Sequence, residues 1–313
     1  MRFSRRDLLR AGIAAGATSL LGKSAVAASK PLLAELSNKT KKTLAAIEGT
    51  NAERMVAKAF DLLGGIEQFL SPGDRVVVKP NASFANPEDW ANNTNPELVH
   101  AVCAYLKKAG ARKVTVVDYP LMRGAEAPKI NGIAAACQGI RGVKLSVLGQ
   151  QHQFRLIDIP GAVTLKKTEL SREVLDADLV LNLPVAKAHD AVAASIGLKN
   201  LMGVIWDRTA FHTMMDIHQA IADLGLAIRP ALTLVDMSRV MTTNGPKGPG
   251  EIVTPKLLVA SPDPVAADAY CLSKVRFNGR KFRPQQIKYL KYAHKAGLGE
   301  IDMKKLTIRK ESV

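Results

Sequence analysis

The sequence predicts an α/β fold, a three-layer sandwich on a mixed, mostly parallel sheet, and three observations carry that prediction. Between residues 75 and 118 a strand, a helix and a second strand follow one another with short links, the βαβ arrangement. Leu179-Val180-Leu181-Asn182-Leu183 is apolar apart from one Asn, the pattern of a strand covered on both faces. Strand-like and helical segments then continue to alternate to residue 274.

Each element has a local reason. Over residues 51–70, Met55, Val56, Ala59, Phe60, Leu63 and Ile66 recur at helical spacing, which gives one apolar face. Pro72-Gly73-Asp74 turns the chain into a buried strand at 75–79. Asn95-Pro96-Glu97 is a helix start: Asn caps free amides, Pro gives up an amide that would have no partner, and the acid faces the positive helix end. Leu98, Val102, Tyr105, Leu106 and Ala109 form the inner stripe, and Gly110 closes the helix before a strand at 113–118. A helix over 130–138, a strand over 143–148 and a hairpin of 154–159 with 162–167 around Pro160-Gly161 are expected next. Further helices are expected over 192–202, 213–226 and 263–274, and strands over 231–236 and 256–260. Asp263 is placed to cap the last helix, with Asp268 aimed back at a lysine.

The ends are read differently from this body. Residues 1–27 have the layout of a removable twin-arginine export signal: Arg5-Arg6, a weakly hydrophobic Ala/Gly-rich stretch, then Lys23 and the small-residue site Ala25-Val26-Ala27. The apolar stretch is too short for a bilayer, which takes about 20 residues. A twin-arginine translocase is therefore an expected partner, and the expected location is periplasmic or extracellular. Residues 28–50 read as a linker and surface segment, 51–275 as the α/β domain, and 276–313 as a basic helical segment.

The formal net charge is +16, and residues 274–313 hold twelve Lys and Arg against three acids, a net of +9. For an exported protein this argues against a nucleic-acid partner, and it allows weak contact of the basic segment with anionic membrane or cell wall. Cys103, Cys137 and Cys271 are far apart and in apolar surroundings, so they read as buried thiols with no iron–sulfur or zinc spacing. No phosphate loop, dinucleotide glycine motif or Gly-x-Ser-x-Gly elbow is present.

Polar residues gather where strands are expected to end. Lys79-Pro80-Asn81 follows the first strand, Pro184 to Asp190 follows the central one, and Asp236 ends another, with Asn244-Gly245-Pro246 beyond it. Ligands of open α/β sheets lie outside the carboxyl ends of the strands. Lys79, Asn81, Lys187, His189 and Asp236 are accordingly expected around one crevice, joined by the Lys199-Asn200 pair. Lysines, a histidine and amides suit an anion such as a carboxylate or phosphate. His212 and Asp216 at helical spacing, with His189-Asp190 and His218, offer metal-ligand chemistry, but no recognised ligand spacing is present, and the sequence names no metal or cofactor.

Taken together, these landmarks resemble the family called domain of unknown function 362 over about residues 76–271. They are Lys79-Pro80-Asn81, Asn95-Pro96-Glu97-Leu98-Val99, Asn182-Leu183-Pro184 with Lys187 and His189, and Gly197-Leu198-Lys199-Asn200-Leu201-Met202-Gly203. His212, Asp223, Asp236, Asn244-Gly245-Pro246 and the Asp263-to-Asp268 run complete the set. Some members of that family carry ferredoxin-like cysteine clusters, which this chain lacks. The resemblance implies a site and no particular reaction. Two readings stand: an enzyme acting on a small anionic compound, or a non-catalytic binding or carrier protein for such a ligand. In the first, His189, Lys187 and Asp236 are the catalytic candidates, His189 as acid or base and Asp236 as its orienting partner. Lys79, Asn81, Lys199, Asn200, His212, Asn244 and Asp268 are the ligand-binding candidates.

Overall fold

The computed structural model describes residues 42–313. The export signal and the first part of the expected linker lie outside the described residues. In chain order the main elements are β1 (Thr43–Glu48), α1 (Ala52–Leu62), β2 (Arg75–Pro80), α2 (Pro96–Lys108), β3 (Lys113–Asp118), β4 (Val143–Val147), β5 (Phe154–Asp158) and β6 (Lys167–Ser171). There follow β7 (Leu179–Leu183), β8 (Val185–His189), β9 (Ala193–Ser195), α3 (Gly197–Asn200), α4 (Thr209–Thr213) and α5 (Ile217–Ala227). β10 (Leu232–Met241), β11 (Ile252–Val253), β12 (Leu257–Ser261), α6 (Pro264–Leu272), α7 (Lys288–Lys295) and β13 (Thr307–Ser312) complete the chain.

One large sheet runs β13-β1-β12-β10-β7-β2-β3-β4, with β8 and β11 also against β10 and β9 against β8. The β2–β3, β3–β4, β2–β7, β7–β10, β8–β10 and β1–β13 pairs are parallel, whereas β12 is antiparallel to both its neighbours. The sheet is mixed and mostly parallel, as expected. Alternation along the strands divides the core. Val76 and Val78, with Leu179, Leu181 and Leu183, pack under α1 and α2; Val77 and Val180 face the side covered by α5, α6 and α7. Helices therefore lie on both faces of the sheet, giving the three layers. A fully buried Leu or Val contributes roughly 1.5–3 kcal/mol, so the two apolar layers hold the strand ends in fixed positions.

Several expectations need correction. Thr43–Glu48, read as part of a linker, is a buried strand between β12 and β13. The basic carboxyl segment is not a helical appendage: α7 packs on α5, and Thr307–Ser312 forms a sheet edge strand. Val185–His189, read as a loop, continues the line of β7 after a break at Pro184, which has no amide to give to a ladder. The hairpin is present, but β5 pairs with Lys167–Ser171, so its second strand begins where the expected one ended. Residues 192–202 form β9, then α3, not one helix. Asp216 caps α5 by accepting from His218 and Gln219, so it is not on one helix with His212. The cap by Asn95 and the buried cysteines are as expected.

Candidate functional site

Because β2, β3 and β7 are parallel, their carboxyl ends open on the same edge of the sheet, and β8 carries the central line further. A cleft of about 320 Å³ lies there, lined by Asn81, Lys187, His189, Ser195, Lys199, Asn200, Arg208 and His212, with Phe84, Tyr119, Met202, Trp206 and Pro246 among its walls. Its volume is at the small end of ligand pockets, which run about 300–1,000 Å³.

The floor is a chain of amides and amines. Lys79, at the end of β2 and 1% exposed, pairs with Asp118 at the end of β3, with Nζ 2.9 Å from Oδ1. It also donates to the Pro80 carbonyl and, at 3.2 Å, to Asn200 Oδ1. Asp118 Oδ2 accepts from the Ala82 amide at 2.6 Å and Oδ1 from the Tyr119 amide at 2.9 Å, so the carboxylate is fully engaged. Asn200 donates to Asn182 Oδ1 at 2.8 Å and to the Lys79 carbonyl at 3.1 Å, which ties α3 to β2 and β7. Lys187, also 1% exposed, donates to Asn81 Oδ1 at 3.1 Å and to the Asn92 carbonyl, and lies 4.7 Å from the centre of the Phe84 ring. Gly203 makes the ion pair possible: a Cβ there would lie 2.1 Å from Asp118 Oδ1 and 2.7 Å from Lys79 Nζ.

The walls add cations and aromatic surface. Arg208 donates to the Tyr119 carbonyl and stacks 3.9 Å from the Tyr119 ring centre, and Tyr119 stacks on Trp206 at 5.6 Å. Lys199, on α3, lines the same cleft, and among the described residues no hydrogen bond or ion pair engages its amine. The Nδ1 of His189 lies 2.8 Å from Asp190 Oδ1, and Asp190 is exposed beside it. The Ala191 amide donates to His189 Nδ1 at 3.1 Å and to Asp190 Oδ1 at 2.7 Å, so one backbone amide joins the two side chains.

Lys187, Lys199 and Arg208 thus line the cleft together, above the buried Lys79–Asp118 pair, and the lysines and histidines are shifted accordingly. Burial pushes Lys79 down, against the pull of Asp118. Burial, then the nearby Lys199 charge, pushes Lys187 well below the ordinary lysine range. Lys199 is lowered to about 8 by burial and then by Arg208. His189 is lowered to about 3 by burial and then by Lys199, so it is neutral at physiological pH in the empty cleft. His212, at the exposed rim, is lowered for the same two reasons.

The cleft brings together Asn81, Lys187, His189, Lys199, Asn200 and His212, and Lys79 lies beneath its floor, bonded to Asn200. Three other candidates lie away from it. Asp236 is not at a strand end, because β10 runs on to Met241; it accepts from the Asn95 amide at 2.8 Å and from the Ser238 amide and hydroxyl. Asp190, not Asp236, is the carboxylate beside His189. Asp268 accepts from the Gly197 and Leu198 amides at 2.7 and 3.2 Å, so it holds the start of α3 and points at no lysine. Asn244 donates to the Pro249 carbonyl and shapes the turn that presents Pro246 to the cleft. Asp118, Arg208, Tyr119 and Trp206 escaped the sequence reading. Asp118 ends a strand and was within reach of the rule that found Lys79, whereas Arg208 and Trp206 lie in a segment with no pattern. Among the described residues no cluster of three or more His, Cys, Asp or Glu is arranged to hold a metal ion.

Comparison with known proteins completes the description. A family model described as domain of unknown function (DUF362) matches residues 76–273. The thylakoid-associated protein sll1697 of Synechocystis sp. is 31% identical over 216 residues, 66% of this chain and 64% of that protein, so less than two thirds of the relative's length is spanned. The lactate racemase apoprotein of Thermoanaerobacterium thermosaccharolyticum is a partial structural likeness, with a TM-score of 0.46 and 14% identity over 77% of this chain and 59% of the other.

Proposed function

This chain belongs to the DUF362 family, and within it we propose an exported α/β enzyme that acts on a small organic anion with an apolar portion. The observation that carries the reading is that the buried Lys187 and the part-buried Lys199 and Arg208 line one cleft with an aromatic wall, while the buried Asp118 beneath it is already paired with Lys79. Buried ammonium groups without counter-charges are costly. A bound carboxylate or phosphate would supply the missing charge and let the lysines keep their protons. Lys187, Lys199 and Arg208 hold the anion, Asn81 and Asn200 fix the floor, and Tyr119, Trp206 and Phe84 receive the apolar part. His189, which lines the cleft beside Asp190, is the acid or base of the site. The ligand's charge opposes the Lys199 field that depresses His189, so the imidazole becomes a stronger base when the site is filled.

Titration calorimetry with oxalate and inorganic phosphate tests the binding. Because the lysines are lowered in the empty cleft, binding takes up protons, and affinity falls as pH rises past about 8, the Lys199 value. Lys187→Met is expected to weaken binding about tenfold or more, at about 1.4 kcal/mol per factor of ten. Binding without proton uptake, or unaffected by Lys187→Met, contradicts the assignment. Export is supported by Arg5-Arg6 and the weakly apolar stretch after them. With both arginines changed to Lys, the precursor is expected to remain in the cytoplasm of its host, as cell fractionation would detect.

A further inference from the structure

The three cleft lysines are not equivalent. Lys79 is held by Asp118, Asn200 and the Pro80 carbonyl, and Lys187 by Asn81 and the Asn92 carbonyl. Lys199 has no such partner among the described residues, although it lines the cleft with Lys187. The charged and titratable groups around it are Arg208, Lys187, His189 and His212, with Asp190 the one acid felt there. A part-buried amine that has no hydrogen-bond partner and is surrounded by cations is the arrangement that turns lysine into a nucleophile.

We infer that Lys199 captures the carbonyl carbon of a small 2-oxo acid as a Schiff base; this rests on the anion reading and names its substrate class. The carboxylate of such an acid meets the cationic wall, an apolar side chain meets Tyr119 and Trp206, and the carbonyl is left for the one uncommitted amine. In the step the Lys199 lone pair forms a C–N bond, the carbonyl oxygen takes up protons and leaves as water, and a C=N bond remains. One amine, one carbonyl and one proton give one iminium and one water, with no change of oxidation state. The free amine is accessible because Lys199 loses its proton near pH 8 in the empty cleft. His189 and His212 line the same cleft and are the groups available to pass the protons. The iminium restores a positive charge where the amine stood, next to the carboxylate that offsets it.

Phenylpyruvate and borohydride test this on the full-length protein. Reduction fixes the imine as a secondary amine, adding the mass of the oxo acid less one oxygen. The expected result is one such adduct, mapped by peptide mass spectrometry to Lys199, blocked by excess oxalate and absent from Lys199→Met. The oxalate block is read on the unaltered protein and does not depend on the variant folding. Calorimetry of phenylpyruvate and oxalate separates the two ideas. If both bind and no adduct forms, or the adduct maps to other lysines, the Schiff base is wrong and the anion site stands. If neither binds, both are wrong.

Discussion

The carboxylates that brace the helices are as deeply buried as Lys187, the innermost lysine of the cleft, yet the two meet different surroundings. Asp268 is 0% exposed and gives its oxygens to the two amides that start α3; Asp223, 1% exposed, accepts from the amides of Val163, Thr164 and Leu165 and from Gln219. Asp236 likewise joins Asn95 to Ser238. Each of these side chains meets hydrogen-bond donors from the backbone and fastens one segment to another, although burial still raises Asp268 to about 7 and Asp236 above the usual carboxylate range. Lys187 is as deeply buried but has only two oxygens and a ring beside it, and Lys199 has no hydrogen-bond partner among the described residues. Burial of charge alone therefore does not mark a site. What distinguishes the cleft is a set of cations that meet few acceptors, the observation on which the proposed anion site rests.

If the carboxylates are braces, removing one should cost the fold more than removing a cleft lysine. Asp268→Ala strands two amides at the start of a buried helical turn. At about 1–3 kcal/mol for each unsatisfied group, the loss is roughly 2–6 kcal/mol. Urea denaturation should show the midpoint fall, with Asp268→Asn intermediate because it retains one acceptor. Since α3 carries Lys199 and Asn200, oxalate affinity should fall in parallel. A stable Asp268→Ala protein would break the comparison.

The same contrast explains how much was legible in the sequence. Strand-end reasoning found Lys79, Asn81, Lys187, His189, Lys199 and Asn200, because in a parallel sheet one topological rule places all the carboxyl ends together. It failed for Asp236, since nothing local shows that β10 runs five residues beyond it to Met241. It also missed that β8 is a strand: Lys187 and His189 break the apolar pattern expected of buried β structure. β1 was missed for another reason. Its Thr-Leu-Ala-Ala-Ile-Glu run is mild in hydropathy, and its partners β12 and β13 lie more than two hundred residues away, so the strand exists through long-range pairing that no local window contains. Asp268 was placed correctly on its helix, but its partner was misjudged, because amide donors at a helix start leave no trace in the residue types.

A smaller effect of opposite sign is expected at Lys199. Met keeps the apolar stem and removes the charge, so Lys199→Met should stabilise the ligand-free protein, by on the order of 1–3 kcal/mol at neutral pH. The pH dependence identifies the cause. Below about 8 the lysine is protonated in both the folded and the unfolded chain, and the folded state bears the full cost of burying it. Between about 8 and its ordinary value of 10.5 the folded protein releases the proton while the unfolded chain keeps it, so the unaltered protein gains stability as pH rises. The advantage of the variant should thus be greatest below pH 8 and vanish near 10.5. Oxalate should reverse the order, stabilising the unaltered protein and not the variant. Denaturation curves at several pH values, with and without oxalate, decide the matter. A gain that is independent of pH would make Lys199 an ordinary packing residue, and the distinction between braced carboxylates and waiting lysines would then rest on Lys187 alone.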